Sequence, residues 1–389
     1  MKAVIVGGGI GGLAAAIALK QTGWTVTVLE QAHVIQDVGA GIQISPNGCH
    51  VLQALGVLNS VKARAFLPQA LELRLGVSGR QVFNIPLQAH SQKRWGNDYL
   101  HVHRADLITS LLERLDEIAP SAVSTGQRVI RYNNLADHVR IETTSDSHQA
   151  DLLVGADGIH SVIQAQMLGP NDARYTGNVA WRAVVPSEKL GDLLPPPTAC
   201  VWAGSRRHAV TYRLAGGSLV NFVGVVEQTQ WKNESWTERG SQEELAADFS
   251  GWHPTITNII KNAPDVYRWG LFDREPLSQW SDGRVTLLGD ACHPMLPFQA
   301  QGASCALEDA WELAQTLGQQ DIPNALESYF NKRIGRASKI QKASRANMGR
   351  FHHGNPLAYA PMFIAGRFLP KYVHSRQDWI YGHNVTQSK

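Results

Sequence analysis

Gly7, Gly9 and Gly12 stand in the pattern G-x-G-x-x-G, and Glu30 follows 23 residues after Gly7. Each type has a job at a dinucleotide pyrophosphate. The first glycine permits a tight turn, the second lets the phosphates approach the backbone, and the third lets a helix pack closely on a strand. A helix opening inside the motif offers free N–H groups and the positive end of its dipole. A carboxylate after the next strand accepts hydrogen bonds from a ribose. A second cluster is Gly155-Ala156-Asp157-Gly158-Ile159-His160-Ser161. A third runs from Gly289-Asp290-Ala291 through His293-Pro294 and Pro297 to Gln301-Gly302-Ala303. A further candidate is His208, with Tyr212 four residues on. An imidazole titrates near neutrality, as a general base requires.

These residues need elements to hold them. Ala3-Val4-Ile5-Val6 reads as a buried parallel strand. Ile10, Leu13, Ala14, Ile17 and Ala18 recur at helical spacing, and Val26 to Leu29 is the next strand, with Glu30 at its end. Asp151 to Val154 precedes the second cluster as a strand, and Arg284 to Leu288 precedes the third. Ala306, Leu307, Asp309, Ala310, Leu313 and Ala314 then read as a helix. Between them, Leu71 to Arg80, Val179 to Val185, His208 to Leu214 and Ser218 to Val226 read as strands of a separate sheet. Alternation places His208, Val210 and Tyr212 on one face. Pro195 to Pro197 and Asn233 to Gly240 read as loops. The chain is mainly helical from Pro323 to about Arg350. The basic residues of that helix (Lys332, Arg333, Arg336, Lys339, Lys342, Arg345 and Arg350) read as a solvated face, with a membrane-surface helix as the alternative. His352-His353 reads as solvated, not as a metal pair.

Composition sets outer bounds. A chain of 389 residues, 43% hydrophobic and 18% charged, is neither disordered nor a coiled coil. Its net charge of +3 gives no concentrated basic face for nucleic acid. Cys49, Cys200, Cys292 and Cys305 form no C-x-x-C pair, so neither a zinc site nor a disulfide framework is expected, and a cytoplasmic location is. No metal site is expected. The apolar start is broken by five glycines within the first twelve residues and runs into a second strand, unlike a secretory leader. The longest other apolar stretch, Pro356 to Leu369, holds Pro361 and Arg367, which argues against integral membrane insertion. No second G-x-G-x-x-G follows a strand, so one dinucleotide is held permanently.

The three separated clusters together resemble the group A FAD-dependent aromatic hydroxylases, a family of flavoprotein monooxygenases. The branch resembled is that of salicylate hydroxylase, 3-hydroxybenzoate 6-hydroxylase and 6-hydroxynicotinate 3-monooxygenase, and the likeness runs from Lys2 to about Tyr329. It implies an α/β (α+β overall) fold: a Rossmann-like FAD-binding domain from 1–70, 98–178 and 268–345, an interleaved β-sheet substrate domain from 71–97 and 179–267, and a C-terminal helical tail, 346–389. It implies that Asp157 lies near the FAD pyrophosphate, that Asp290 binds the ribityl chain, and that Pro297, Gly302 and Ala303 lie beside the flavin ring. Gly39-Ala40-Gly41-Ile42 resembles the loop that approaches the ring, which assigns Gly41 to the cofactor. His103-Arg104-Ala105-Asp106-Leu107 resembles the segment whose Arg contacts FAD. Arg206 to Tyr212 resembles the branch's segment carrying an active-site His and Tyr, which makes His208 and Tyr212 the catalytic pair. His293 is the competing base, with a structural role preferred. Gln43 and Gln301, with Pro297, are the substrate-binding candidates. Gln43 stands where the hydroxynicotinate enzymes carry His. Gln164 departs from the family's Arg and puts the nicotinamide contact in question.

The implied function is hydroxylation of a small phenolic aromatic acid, with bound FAD, NADH or NADPH as transient co-substrate, and dioxygen activated as a flavin C4a-hydroperoxide. The expected assembly is a monomer or homodimer. Two alternatives stand beside it: a quinone-biosynthesis ring hydroxylase at the membrane, motivated by the basic helix and Pro356 to Leu369, and a flavin-binding reductase, motivated by Gln164.

Overall fold

The computed structural model describes residues 1–35, 41–170, 173–231, 238–353 and 355–387. Lys2–Val6 lies at the middle of a six-stranded sheet, in the order Ser281–Asp282, Val285–Leu287, Leu152–Gly155, Lys2–Val6, Thr25–Leu29 and Val123–Ser124. All pairings are parallel except that of Ser281–Asp282. Ala3, Val4 and Ile5 are wholly buried, as a strand covered on both faces requires. Helices Ile10–Gln21, Arg104–Ile118 and Gly302–Leu317 pack around it, so each motif emerges at the carboxyl end of a parallel strand, where open α/β sheets bind ligands.

The second sheet has eight strands, in the order Glu238–Arg239, Tyr267–Asp273, Arg174–Pro186, Leu219–Glu227, Arg207–Leu214, Ala199–Gly204, Ala70–Leu75 and Gln81–Pro86. Its two faces differ. Trp181, Trp202, Phe222 and the helices Gln242–Asp248 and Pro254–Lys261 close one side with Phe249, Trp252, Ile256 and Ile259. Ala180, Val225, Trp269 and Leu271 point the other way, onto Leu296 and Phe298. His208 pairs directly with Val225, and Tyr212 with Asn221, so both catalytic candidates stand on this second face.

Several expectations shift. The Leu71 to Arg80 run is a strand only to Leu75, then turns into Gln81–Pro86. Strands Ala199–Gly204 and Tyr267–Asp273 are additions. Residues 174–178 and 268–273 belong to the eight-stranded sheet, which moves the expected boundaries at 178 and 268. Most of Asn233 to Gly240 lies outside the described residues, as do Gly39 and Ala40, but Glu238–Arg239 is a strand, not loop. The tail is no appendage: Ile380 and Tyr381 pack with Ile85, Leu87, Trp95 and Tyr99, and Arg94 forms a bidentate pair with Asp378 at 2.7 Å.

The helix Ile322–Phe351 also corrects the sequence reading. Its basic residues are not one solvated face. Arg333 is 1% exposed and Arg336 is largely buried, both paired with Glu308, while Arg345 pairs with Asp273 and Lys332 with Glu312. Among the described residues no helix is long and apolar enough to cross a membrane.

Candidate functional site

The glycine turn is built as its spacing demands. Gly7 has φ +107° and donates its N–H to Leu29 O at 2.8 Å. A Cβ there would lie 2.4 Å from Ala156 O, so the second cluster is packed directly on the first. A Cβ on Gly12 would lie 2.0 Å from Gly7 O. Gly9 is the opposite case, because a Cβ there meets nothing within 4 Å. It caps helix Ile10–Gln21 without any side-chain bond, which leaves the helix's first N–H groups aimed at open space. Glu30 accepts from Gly8 N at 2.7 Å and Ala32 N at 2.8 Å. It therefore shapes the turn and keeps lone pairs for a ribose.

Asp157 has a structural task in its own segment. Its carboxylate accepts from Ser161 Oγ at 2.5 Å and from the N–H groups of Val162 and Ile163 at 2.8 and 3.3 Å. It braces Ser161, the cap residue of helix Val162–Leu168, together with that helix's first N–H groups, and the neighbouring Ala156 packs by its backbone on Gly7. Gln164 donates to Gly169 O at 3.2 Å and is buried. It closes the end of that same helix and does not reach outward as an Arg would.

Asp290 sits on the one-turn helix Gly289–Ala291 after strand Val285–Leu287. Its side chain is exposed to solvent. The surrounding protein raises its pKa, opposed by His293 and by Arg104, so the first residue of helix Arg104–Ile118 lies close to it. The Gly289 turn is held by Asp309, which accepts from Gly289 N at 3.2 Å, from His293 Nε2 at 2.5 Å and from Arg333 Nε at 2.7 Å. Burial alone would raise Asp309, but His293 and Arg333 outweigh it and hold the carboxyl low. Burial alone would lower His293, and Asp309 outweighs that. His293 is thus the structural cation of this turn. Cys292, His293 and Asp309 have ligand-like spacing, within 4.8 Å. Asp309 is already committed to three donors there.

Pro297 is exposed on the loop that follows. Its loop is gripped by one face of helix Ile322–Phe351: Gln341 donates to Pro294 O at 2.8 Å, Ser344 to Leu296 O at 2.6 Å and Asn347 to Phe298 O at 3.1 Å. Gly302 and Ala303 open helix Gly302–Leu317, which has no side-chain cap. A Cβ on Gly302 meets nothing closer than Met295 Cγ at 3.9 Å. Gln301 is a correction. It is 1% exposed, donates to Ser45 Oγ at 2.8 Å and accepts from Asn47 Nδ2 at 3.0 Å. Its amide is consumed in a buried network that continues to Glu308, so it positions the helix and does not present a group to substrate.

Strand Arg207–Leu214 carries Tyr212 and His208. Tyr212 donates to Gly41 O at 2.6 Å, Gly41 N donates to Asn221 Oδ1 at 3.1 Å, and the Tyr212 ring lies 4.9 Å from that of His101. Tyr212 therefore anchors the Gly41 loop through its hydroxyl. Burial keeps that phenol protonated. Gln43 accepts from Tyr99 at 2.6 Å, which fixes its amide and leaves the NH₂ as donor. His208 is clasped by the rings of Phe298 and Phe351, each 5.3 Å away. Its Nδ1 lies 2.8 Å from Nε2 of His352, so His352 is buried and bonded, not solvated. Burial, then His352, hold the His208 pKa well below the usual imidazole range. The ring is neutral at neutral pH.

The open space at Gly9, the two uncapped helix starts, the exposed Asp290 and the adjacent Arg104 fit a dinucleotide with one end at Gly302. Missed from sequence were His352, Asn221 and the Asp309–Arg333 pair. The only available signal was Glu308-Asp309, two acids inside an apolar helix pattern.

A model of the FAD binding domain family matches residues 1–344. The chain is 37% identical to 3-hydroxybenzoate 6-hydroxylase of Polaromonas naphthalenivorans (strain CJ2), over 99% of this chain and 96% of that one. It is 36% identical to 6-hydroxynicotinate 3-monooxygenase of Pseudomonas fluorescens, over 89% and 91%. The structure of Klebsiella pneumoniae HpxO complexed with FAD and uric acid superposes with a TM-score of 0.84 at 29% identity, covering 97% of this chain and 95% of that one.

Proposed function

Because the chain belongs to the FAD-dependent aromatic monooxygenases of the FAD binding domain family, we propose that it hydroxylates a small phenolic aromatic acid, with NAD(P)H and dioxygen as co-substrates. The observation that carries this reading is His208, a neutral imidazole on the inner face of the eight-stranded sheet beside the Phe298 loop. A bound FAD would supply the redox chemistry, accepting hydride from the nicotinamide and activating dioxygen for attack on an aromatic ring.

The chain's own work is holding, drying and moving a proton. Gly9 and the start of helix Ile10–Gln21 would hold the pyrophosphate, Glu30 the ribose, and Asp290 the polyol chain, with Arg104 nearby. The N-terminus of helix Gly302–Leu317 would stabilise negative charge on the flavin ring. Glu308 and Asp309 lie in that helix, but Arg333, Arg336 and His293 neutralise them, so they do not cancel its positive end. His208 Nε2 accepts the phenolic proton, which makes the ring electron-rich. Tyr212, protonated and fixed on Gly41, frames the same face. Phe298, Phe351 and Leu296 exclude water around the imidazole.

The four cysteines are free and buried, in keeping with a reducing, cytoplasmic setting. The test is a panel of hydroxybenzoates and hydroxylated heteroaromatic acids, scored for oxygenated product matched to NADH or NADPH oxidised. NADH oxidation that yields only hydrogen peroxide across the panel refutes the substrate class.

A further inference from the structure

We propose that His352 and Glu227 form a proton-transfer chain behind His208, carrying the substrate's phenolic proton from the buried site to solvent. This deepens the reading above and rests on it for the identity of the proton donor.

The chain is continuous in the structure. His208 Nδ1 and His352 Nε2 are 2.8 Å apart, and His352 Nδ1 and Glu227 Oε1 are 3.2 Å apart. Glu227 is a strand-end residue at the protein surface, where Arg206 Nε donates to its other oxygen at 2.9 Å. The backbone ties the three together, because Glu227 N donates to Arg206 O at 2.9 Å and Arg206 N donates to His352 O at 3.1 Å. His208 and His352 come from segments 144 residues apart, so the contact is built by the fold and not by local sequence.

The chemistry of the partners fixes every tautomer. An ionised carboxylate only accepts, and burial's tendency to raise Glu227 is outweighed by Arg206 and His352, which keep it ionised. So His352 carries its proton on Nδ1 and leaves Nε2 as an acceptor. His208 must then donate from Nδ1, which leaves Nε2 bare. The carboxylate thus dictates, through two rings, that Nε2 is the basic nitrogen of His208.

A proton taken at Nε2 cannot stay on a buried ring, and the chain gives it an exit. The phenol O–H bond breaks with its electron pair left on oxygen, and the proton binds His208 Nε2. The Nδ1 proton of His208 passes to His352 Nε2, and the Nδ1 proton of His352 passes to Glu227 or to water beside it. One proton leaves per phenolate formed. Reprotonation of the product phenolate by the same route restores the tautomers. The charged groups facing the chain are Arg206 and Glu227, while Phe298 and Phe351 flank His208 without charge.

Two measurements test this on the FAD-loaded enzyme. Two-bond ¹H–¹⁵N correlation reads imidazole tautomers directly. Nδ1–H is expected on both His208 and His352, with mixed tautomers in Glu227→Gln. Nε2–H on His208 of the wild type overturns the proposal whatever the substrate proves to be. The second measurement is proton release to an indicator dye on mixing with the phenolic acid that the panel identifies. His352→Gln is expected to slow release by roughly tenfold or more, with recovery on adding imidazole to the buffer. Unchanged release at unchanged flavin occupancy overturns the proposal. If His352→Gln does not fold, Glu227→Gln at the surface is read by the same assay. Product from no panel member, with the expected tautomers present, refutes the substrate class and leaves the chain standing.

Discussion

Arg333→Met is the substitution with the most decisive consequence. Arg333 is 1% exposed and holds two carboxylates at once, Glu308 and Asp309, each at 2.7 Å. Methionine keeps the length of the stem and removes the charge. Asp309 then retains His293 and Gly289 N–H, and Glu308 retains Arg336 and Asn47, but one of two buried negative charges has lost its main counterion. Breaking a buried pair on one side costs about 3–5 kcal/mol. At ~2 °C per kcal/mol, the low end appropriate to a long chain, the melting midpoint falls by about 6–10 °C. The turn that presents Asp290 hangs from Asp309, so flavin occupancy falls with it. The assay is thermal unfolding followed by far-UV dichroism, with flavin fluorescence in parallel. The companion Glu308→Gln/Arg333→Met removes the carboxylate that lost its main counterion, leaves Asp309 paired with His293, and recovers part of the loss. A midpoint within ~2 °C of wild type for Arg333→Met, with full flavin, refutes the view that this network supports the cofactor turn.

Asp290→Ala is expected to purify folded but colourless, and retention of stoichiometric flavin absorption would remove Asp290 from the cofactor contacts. Gly9→Ala and Gly12→Ala separate space from architecture. The first folds normally and binds FAD weakly, because its methyl enters open space, whereas the second fails to fold, because its Cβ lies 2.0 Å from Gly7 O; dichroism and an FAD titration of each check this. His208→Ala is expected to lower kcat/KM for hydroxylation by about 10²–10⁴ and to divert reduced flavin to hydrogen peroxide, measured as product formed per NADH. The pH dependence follows from the network. Glu308 and Asp309 are held below their unfolded values, so their contribution is present above about pH 4 and lost as pH falls. His293 is held above its unfolded value, so its contribution is full below about pH 6.5 and fades as pH rises through the folded value. Urea midpoints from acid to alkaline pH should show both flanks, and His293→Gln should remove the alkaline one.

The glycine turn was legible because its geometry is local. Gly7, Gly12 and Glu30 are related by one turn and one short crossover, and the spacing alone fixes their contacts. His208 and Tyr212 were legible as a face because strand alternation has a period of two. What escaped was whatever depends on segments far apart in the chain. Gln301 looked like a free amide and is consumed by Ser45 and Asn47, some 250 residues away. His352 looked solvated beside His353, and only the return of helix Ile322–Phe351 to the sheet brings it to His208. Arg333 looked like surface charge for the same reason. Asp157 carries a second task that spacing alone does not show: its carboxylate accepts from the first N–H groups of the helix behind it.

The helix Ile322–Phe351 spans 30 residues, about 45 Å. In its first third Tyr329 donates to Leu287 O in the parallel sheet, its last third holds the Pro294 to Phe298 loop, and its last residue lies against His208. One rod is therefore built to two templates. Recombination between relatives that joins the flavin half of one parent to the aromatic-binding sheet of another meets this constraint at a place no domain boundary marks. The crossover must fall within the rod, between Arg336 and Gln341, for each end to keep the partner it evolved with.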